Sequence, residues 1–438
     1  MAGQIRRFLR DSNGNVAILV AFLILPMLVL AGGATDLARA ESHRVQLQDG
    51  IDRAVLAAAS LTQTVTVETT VRDYLKSLDF VDEVELAFDY DLSINARDVK
   101  VTASYDMPAG FLPLIGIETL PIRVSAAAVE QRSNIEISLV LDLSGSMRFD
   151  TPTRLSMLRP AAKEFVDTLL TPESAPTTTI SIVPYAGSVN PGSVAYGLLN
   201  IPRRHNYSSC VEFITDDYKS GNIPFALRGQ VPHFTHAHTA KNDPVLGWSW
   251  CPEEISSITY LSNNAALLKN RIDTLKMFDG TGTAIGTNWG LLLLDPVMRP
   301  FIGQMSAAGK VANQFASRPA AFQDPETLKI MVLMTDGEIS DQYRPRVYDY
   351  PRPKEQDNVM QTNRNHNRDR LYDVCNRAKA NGVIVFTIGF RISPTSSAIT
   401  EMRNCASSPS HFYDVKDMNI ASAFRSIATA IQKVKLTQ

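Results

Sequence analysis

Apolar positions are distributed unevenly along this chain of 438 residues. No residue from Ser12 to Thr35 is charged, and residues 16–31 read VAILVAFLILPMLVLA. A helix rises 1.5 Å per residue, so about 20 such residues cross a ~30 Å hydrocarbon core. A transmembrane helix is therefore expected over residues 16–35, after a short N-terminal segment, residues 1–15. Pro26 is tolerated in a membrane helix. Ala31, Gly32, Gly33 and Ala34 admit another reading, a cleaved signal peptide. The length of the run, and the helical pattern that continues out of it, favour an uncleaved anchor. Leu37, Ala40, Arg44, Leu47, Ile51, Ala54, Ala58 and Leu61 follow at three- and four-residue steps. That spacing predicts a helical stalk over 36–61, its stripe packed on a partner helix or on its own chain.

Periodicity changes over residues 62–131. Short runs at 64–68, 84–90, 98–105 and 119–124 mostly alternate in polarity, as strands with one wet face do. Residues 71–78 fit a short helix. The expectation is a small α+β module without nameable chemistry. Its loop at 109–116, AGFLPLIG, is apolar enough to dip into a membrane or to serve as core.

From Ile135 the runs become continuously apolar and β-branched. Residues 135–141 and 329–335 read as buried parallel strands, as do 179–183, 383–389 and 411–415. They alternate with helical patterns at 154–170, 261–277, 368–380 and 420–434. The expected fold class is α/β, a doubly wound and mostly parallel sheet flanked by helices, over 132–438. Residues 187–260 and 339–367 do not fit a minimal domain of this kind and read as insertions near the strands' C-terminal ends.

Candidate chemistry sits where two of these strands stop. The first runs into Asp142-Leu-Ser144-Gly-Ser146 and the second into Thr335-Asp336-Gly337. Between them Asp279-Gly-Thr-Gly-Thr283 precedes a helix expected to begin near Asn288. Open α/β sheets place ligand sites at strand C-termini. Carboxylates and hydroxyls suit a hard cation, most simply Mg²⁺, with Mn²⁺ or Ca²⁺ as alternatives. The 279–286 stretch is not a dinucleotide loop, because it follows a helix and is spaced G-x-G-x-x-x-G. Asp142-x-Ser144-x-Ser146, Thr283 and Asp336 together resemble the metal-ion-dependent adhesion site of von Willebrand factor A domains. The resemblance implies direct metal contacts from Ser144, Ser146 and Thr283, with Asp142 and Asp336 acting through water. Thr281 and Thr287 lie close enough to compete for the role of Thr283.

Composition narrows the class further. Lys plus Arg number 43 and Asp plus Glu 45, so no basic surface for nucleic acid is expected. Of the four cysteines, local pairing gives Cys210–Cys251 and Cys375–Cys405, the alternative being four buried thiols. Lasting disulfides call for an oxidising compartment, such as a bacterial periplasm. That places the C-terminal domain outside an inner membrane and the N-terminus in the cytoplasm. His233-x-x-His236-x-His238 near these cysteines could hold Zn²⁺, although Pro232 and Pro244 mark a loop. Neither a Gly-x-Ser-x-Gly elbow nor a His-Glu-x-x-His pair is present, so no enzyme is expected.

The whole chain resembles the TadG-type proteins of tight-adherence (Flp-type) pilus systems, a TadE/TadG-like module fused to a von Willebrand A domain. Residues 8–17 (FLRDSNGNVA), Asp36-x-x-Arg39-Ala and Leu47-Gln-x-x-x-Asp52-x-Ala54 carry the resemblance at the N-terminus. Cys210-Val-Glu, Cys251-Pro-Glu-Glu-Ile, Trp289-Gly290 and Ala423-Phe-Arg-Ser-Ile-Ala carry it further on. It implies a membrane-anchored protein of pilus assembly whose metal site takes an acidic residue from a protein partner. The alternative is a surface adhesin that contacts host or matrix through the same site. Pilin-like relatives are processed after a Gly with a Glu soon downstream; here Gly14 is followed by no Glu before Glu41.

Overall fold

The computed structural model describes residues 15–61, 63–92, 96–131, 134–236, 247, 249–347, 358–417 and 419–432. They form two compact units that divide between Gln131 and Arg132.

The first unit begins with one long helix, α1 (Asn15–Ala59), which includes Pro26. Its N-terminal part is apolar and exposed, Leu19, Phe22, Met27 and Leu30 among the most exposed residues. By length and composition it is a candidate membrane span. Its C-terminal part buries Leu47, Ile51, Ala54, Val55 and Ala58 against its own module. The stripe expected from the sequence is thus satisfied within the chain, and two of its members leave it. Leu37 is exposed, and Arg44 pairs on the surface with Glu41 at 2.6 Å. Buried Asp36 occupies the inner face instead, where an apolar stripe would not look for a carboxylate.

Residues 64–68, expected as a strand, instead lead into helix α2 (Val67–Leu75). The Thr66 side chain caps it by accepting from the Thr69 amide at 3.3 Å. An N-cap hydroxyl satisfies an amide that has no helical partner, and that outweighs the alternating pattern. Gly50 lets α2 approach, since a Cβ there would lie 2.7 Å from Leu75 Cδ2. Strands β1 (Glu85–Leu92), β2 (Ala96–Pro108) and β3 (Thr119–Gln131) make an antiparallel sheet in that order. Val99, Val101, Ala103, Tyr105 and Met107 of β2 are buried at a period of two and face the helices.

The second unit is a six-stranded sheet. Its strands in chain order are β4 (Asn134–Asp142), β5 (Thr178–Tyr185), β6 (Thr259–Ser262), β7 (Thr327–Thr335), β10 (Ile384–Phe390) and β11 (Phe412–Val415). They lie side by side as β11-β10-β7-β4-β5-β6, all parallel except β6, which runs antiparallel to β5 at the edge. A separate two-stranded ribbon pairs β8 (Gln342–Pro345) with β9 (Asn358–Thr362). Helices α3 (Arg154–Leu169), α5 (Ala265–Thr274) and α10 (Ile420–Gln432) pack together. Helix α6 (Thr283–Leu292) lies on β4, β5 and β7 beside α8 (Arg364–Ala380). Gly290 permits that close seat, because a Cβ would sit 2.5 Å from Val140 Cγ2. The remaining helices are α4 (Ser193–Leu198), α7 (Arg299–Ala307) and α9 (Ser397–Cys405).

Both disulfides form as expected from local pairing, Cys210–Cys251 and Cys375–Cys405. The first closes a loop from Cys210 to Cys251 within residues 186–258, which join β5 to β6. This segment interlocks with the one after β7. Arg344 is ion-paired with Glu212, the Trp250 indole N–H donates to Gln342 Oε1 at 3.2 Å, and the His236 ring stacks on Tyr343 at 3.6 Å.

Candidate metal centre

Strands β4 and β7 are central neighbours and stop side by side, so Asp142 and Asp336 end beside each other. The turn after β4 is held by its own acid: Asp142 Oδ1 accepts the Ser144 amide at 2.7 Å. The two serine hydroxyls lie 2.9 Å apart, and Ser146 Oγ donates to Asp336 Oδ1 at 2.6 Å. On the far side Asp142 Oδ2 accepts from Thr335 Oγ1 at 2.6 Å, with the Tyr185 hydroxyl 3.3 Å away. Four of the five residues expected from the sequence are therefore joined by direct hydrogen bonds or through shared partners.

Thr283 comes from a third element. The Gly282 amide donates to the Ala186 carbonyl at 2.6 Å, and a Cβ on Gly282 would fall 2.5 Å from the Gly187 carbonyl oxygen. Gly286, one turn on, lies against the Tyr185 ring, where a Cβ would stand 2.6 Å away. These glycines let the first turn of α6 close onto the end of β5. The helix starts at Thr283 itself, ahead of the expected start near Asn288. Thr283 Oγ1 is buried and has no hydrogen-bond partner. The competing threonines are used otherwise: Thr287 Oγ1 donates back to the Thr283 carbonyl at 2.8 Å, and Thr281 is tied through its backbone to Ser340.

Burial dominates the electrostatics. Asp142, Ser144 and Thr283 are at most 1 % exposed and Asp336 is 3 % exposed, while Ser146 is the partly open member. Burial raises the Asp142 carboxyl above its ordinary range. Burial and the neighbouring Asp142 charge do the same to Asp336. Burial, with Asp142 adding, pushes the Tyr185 phenol well above its usual value. A resident cation answers Asp336. Arg154 Nη1 lies 2.8 Å from Asp336 Oδ2, and its Nε is shared with Asp150 at 2.8 Å.

This donor set fits a hard divalent ion. It is all oxygen, it carries more negative than positive charge, and it keeps one buried hydroxyl without a partner. Asp142, Ser144, Ser146, Thr283 and Asp336 would hold the ion, which would neutralise the carboxylates. Arg154, Thr335 and Tyr185 escaped the sequence reading. Thr335 had a signal, standing next to Asp336 at a strand end; Arg154 had none, because it reaches Asp336 from 182 residues away.

Among the described residues the histidine and cysteine cluster is not assembled as a zinc site. Both nearby cysteines are in the disulfide, His233 Nδ1 is 2.9 Å from Ser208 Oγ, and His236 stacks on Tyr343. His238 lies outside the described residues. Among the described residues no group of three or more His, Cys, Asp and Glu is arranged to hold a metal.

Comparison with known proteins matches two stretches of the chain to families. Residues 14–61 match the Flp pilus-assembly TadE/G-like family, and residues 303–427 match the von Willebrand factor type A domain. The chain couples a TadE/G-like module to a von Willebrand factor type A domain. The second match includes Asp336 and begins after Asp142, Ser144, Ser146 and Thr283. No curated protein matches the chain. Among solved structures, the von Willebrand domain of the type V pilus tip protein Mfa5 from Porphyromonas gingivalis is 14% identical, with a TM-score of 0.39. The alignment covers 70% of this chain and 98% of that one. The pilus adhesin SpaC from Lactobacillus rhamnosus GG is 11% identical at a TM-score of 0.37, over 80% of this chain and 35% of that one. The present chain thus spans about a third of SpaC. Proximal thread matrix protein 1 from the mussel byssus, with a zinc-occupied adhesion-site motif, is 13% identical at a TM-score of 0.33, over 68% and 46% of the two chains.

Proposed function

We propose that this is an inner-membrane-anchored, periplasm-facing protein of tight-adherence pilus biogenesis. Its von Willebrand domain binds a protein partner through a divalent cation, Mg²⁺ first among candidates. The observation that carries the reading is the convergence of Asp142, Ser144, Ser146 and Asp336 in one hydrogen-bonded cluster, with Thr283 Oγ1 buried and unpartnered at the end of the same sheet. The TadE/G-like match supports the pilus context, and the apolar half of α1 supports the anchor. The disulfides support an oxidising compartment.

The role proposed is binding rather than catalysis. Ser146 is the partly exposed edge of the cluster, so an acidic side chain from the partner approaches there. Phe149, 52% exposed and two residues after Gly145-Ser146-Met147, offers an apolar contact next to it. Two measurements test this on the full-length protein in detergent and in cells. Calorimetry should show Mg²⁺ or Mn²⁺ binding that Asp142→Asn removes. Photocrosslinks from position 149 should capture a partner in the wild type and lose it in Asp142→Asn. Absence of metal binding, or crosslinks indifferent to Asp142, would overturn the reading.

A further inference from the structure

The loop between β2 and β3 is unusual for a water-facing surface. Phe111, Leu114, Ile115 and Ile117 are 42%, 61%, 56% and 42% exposed, and no charged residue occurs from Met107 to Ile117. The loop is nevertheless firmly built. Asp36 of α1 accepts the amides of Gly110, Phe111 and Leu112 at 3.0, 2.7 and 3.0 Å. The amides of Ala109, Leu114, Gly116 and Ile117 donate to carbonyls within the loop and its rim. Pro113 has no amide to satisfy. Side chains that suit oil are thus mounted on a backbone that asks little of water.

Its position along α1 says what covers it. Gly32 and Gly33 are buried beneath the loop; a Cβ on Gly32 would fall 2.2 Å from Phe111 Cγ, and one on Gly33 would fall 3.0 Å from Leu112 Cδ2. From Asn15, where the helix begins, to Gly33 is roughly 27 Å at 1.5 Å per residue, close to the thickness of a bilayer's hydrocarbon core. The loop therefore meets the helix where the apolar stretch ends and Asp36 and Arg39 begin.

We propose that residues 110–117 form an interfacial foot, inserted between the headgroups and upper acyl chains of the leaflet from which α1 emerges. The proposal rests on the reading of α1 as a membrane span. A foot of this kind fixes the roll and tilt of the helix, because one face carries the loop and the other faces lipid alone. Interfacial depth, rather than the bilayer centre, suits an irregular but internally hydrogen-bonded segment. It also gives Gly32 and Gly33 a role other than signal cleavage: they are the seat of the foot.

The test uses full-length protein in phosphatidylcholine/phosphatidylglycerol vesicles. The described cysteines are all in disulfides, so an introduced thiol can be labelled alone. A polarity-sensitive fluorophore is placed in turn at Leu114→Cys, Ile115→Cys, Leu28→Cys and Asp89→Cys. Spin-labelled lipids should quench Leu28 best from deep acyl positions, and Leu114 and Ile115 best from positions near the headgroup. Asp89 should respond only to aqueous iodide. Quenching at Leu28 with water-like behaviour at Leu114 and Ile115 overturns the foot and leaves the span standing. Shielding of Leu114 and Ile115 from both lipid label and iodide also overturns it, in favour of a protein partner. No lipid quenching at Leu28 removes the span and the foot together. Gly32→Val should lower lipid quenching at Leu114 while Leu28 keeps it; unchanged quenching at Leu114 overturns the part played by the Gly32 seat.

Discussion

Strands β4 and β7 carry a buried acid at each end of the pair, and the two ends solve the problem differently. At the N-terminal end Glu136 faces two cations, Lys329 at 2.5 Å and Arg318 at 3.1 Å, and also accepts the Ala320 amide. At the C-terminal end Asp336 pairs with one guanidinium, that of Arg154, which is also engaged by Asp150, while Asp142 is met by the Ser144 amide and the Thr335 and Tyr185 hydroxyls. The first cluster contains its own countercharge and reads as architecture. The second is short of positive charge and holds a hydroxyl without a partner, an arrangement that the proposed cation would complete. Buried charge alone does not mark a functional site; the balance of charge within the burial does.

The largest effect should come from the balanced end. Glu136→Ala leaves the Lys329 ammonium, 2% exposed, with the Leu294 carbonyl and no carboxylate. Breaking a buried pair by removing one partner typically costs about 3–5 kcal/mol. That is a large part of a domain's stability, so the midpoint of urea unfolding should fall sharply. The double variant Glu136→Met/Lys329→Met should recover most of the loss, because both charges then leave together. If Glu136→Ala is harmless, the two ends do not differ as described.

The unbalanced end should respond in the opposite sense. Asp142→Asn keeps the side chain's shape and removes one of two crowded charges. In metal-free buffer its cost should stay below about 1 kcal/mol. In wild-type protein a bound ion at 100 times its Kd adds about 2.7 kcal/mol, a gain that Asp142→Asn should abolish. Thermal unfolding with EDTA and with MgCl₂ separates the two effects. A large loss for Asp142→Asn in EDTA would make this cluster structural, like its counterpart.

How much of this was legible in the chain depends on range. Asp142, Ser144, Ser146 and Asp336 could be read because a buried strand running straight into an oxygen-rich turn is a local pattern. Thr283 could be chosen over Thr281 and Thr287 only by its place before a helix, and the structure adds that its hydroxyl is buried without a hydrogen-bond partner while that of Thr287 is taken up by the Thr283 carbonyl. Arg154 was invisible, since an arginine at the start of an amphipathic helix has no local mark of where its guanidinium will go. The stalk stripe was misplaced at Leu37 and Arg44 for a related reason. The inner face there holds Asp36, whose three amide partners lie more than 70 residues away. The run at 64–68 alternates like a strand, yet Thr66 spends its hydroxyl on a helix cap.

Acid gives the smallest and most local way to separate the two ends. The insertion beside the metal end buries His233, which stacks on Tyr207 at 5.4 Å and is 3% exposed. Burial, with a lesser contribution from His205, lowers its pKa from 6.5 to about 3. The folded state therefore keeps His233 neutral where the unfolded chain binds a proton. Its stabilising effect is complete above pH 6.5 and is lost progressively as the pH falls from there towards 3. One pH unit below 6.5 the loss is about 1.4 kcal/mol. His205, also lowered by burial, adds to it in the same direction. Hydrogen exchange at pH 5.5 should then show faster opening in the segment held by Cys210–Cys251, with β4 and β7 near Glu136 and Lys329 unchanged. His233→Asn should reduce this pH slope to the part that His205 supplies, whatever it does to stability at neutral pH. A slope that the substitution leaves undiminished would assign the acid sensitivity to groups other than His233.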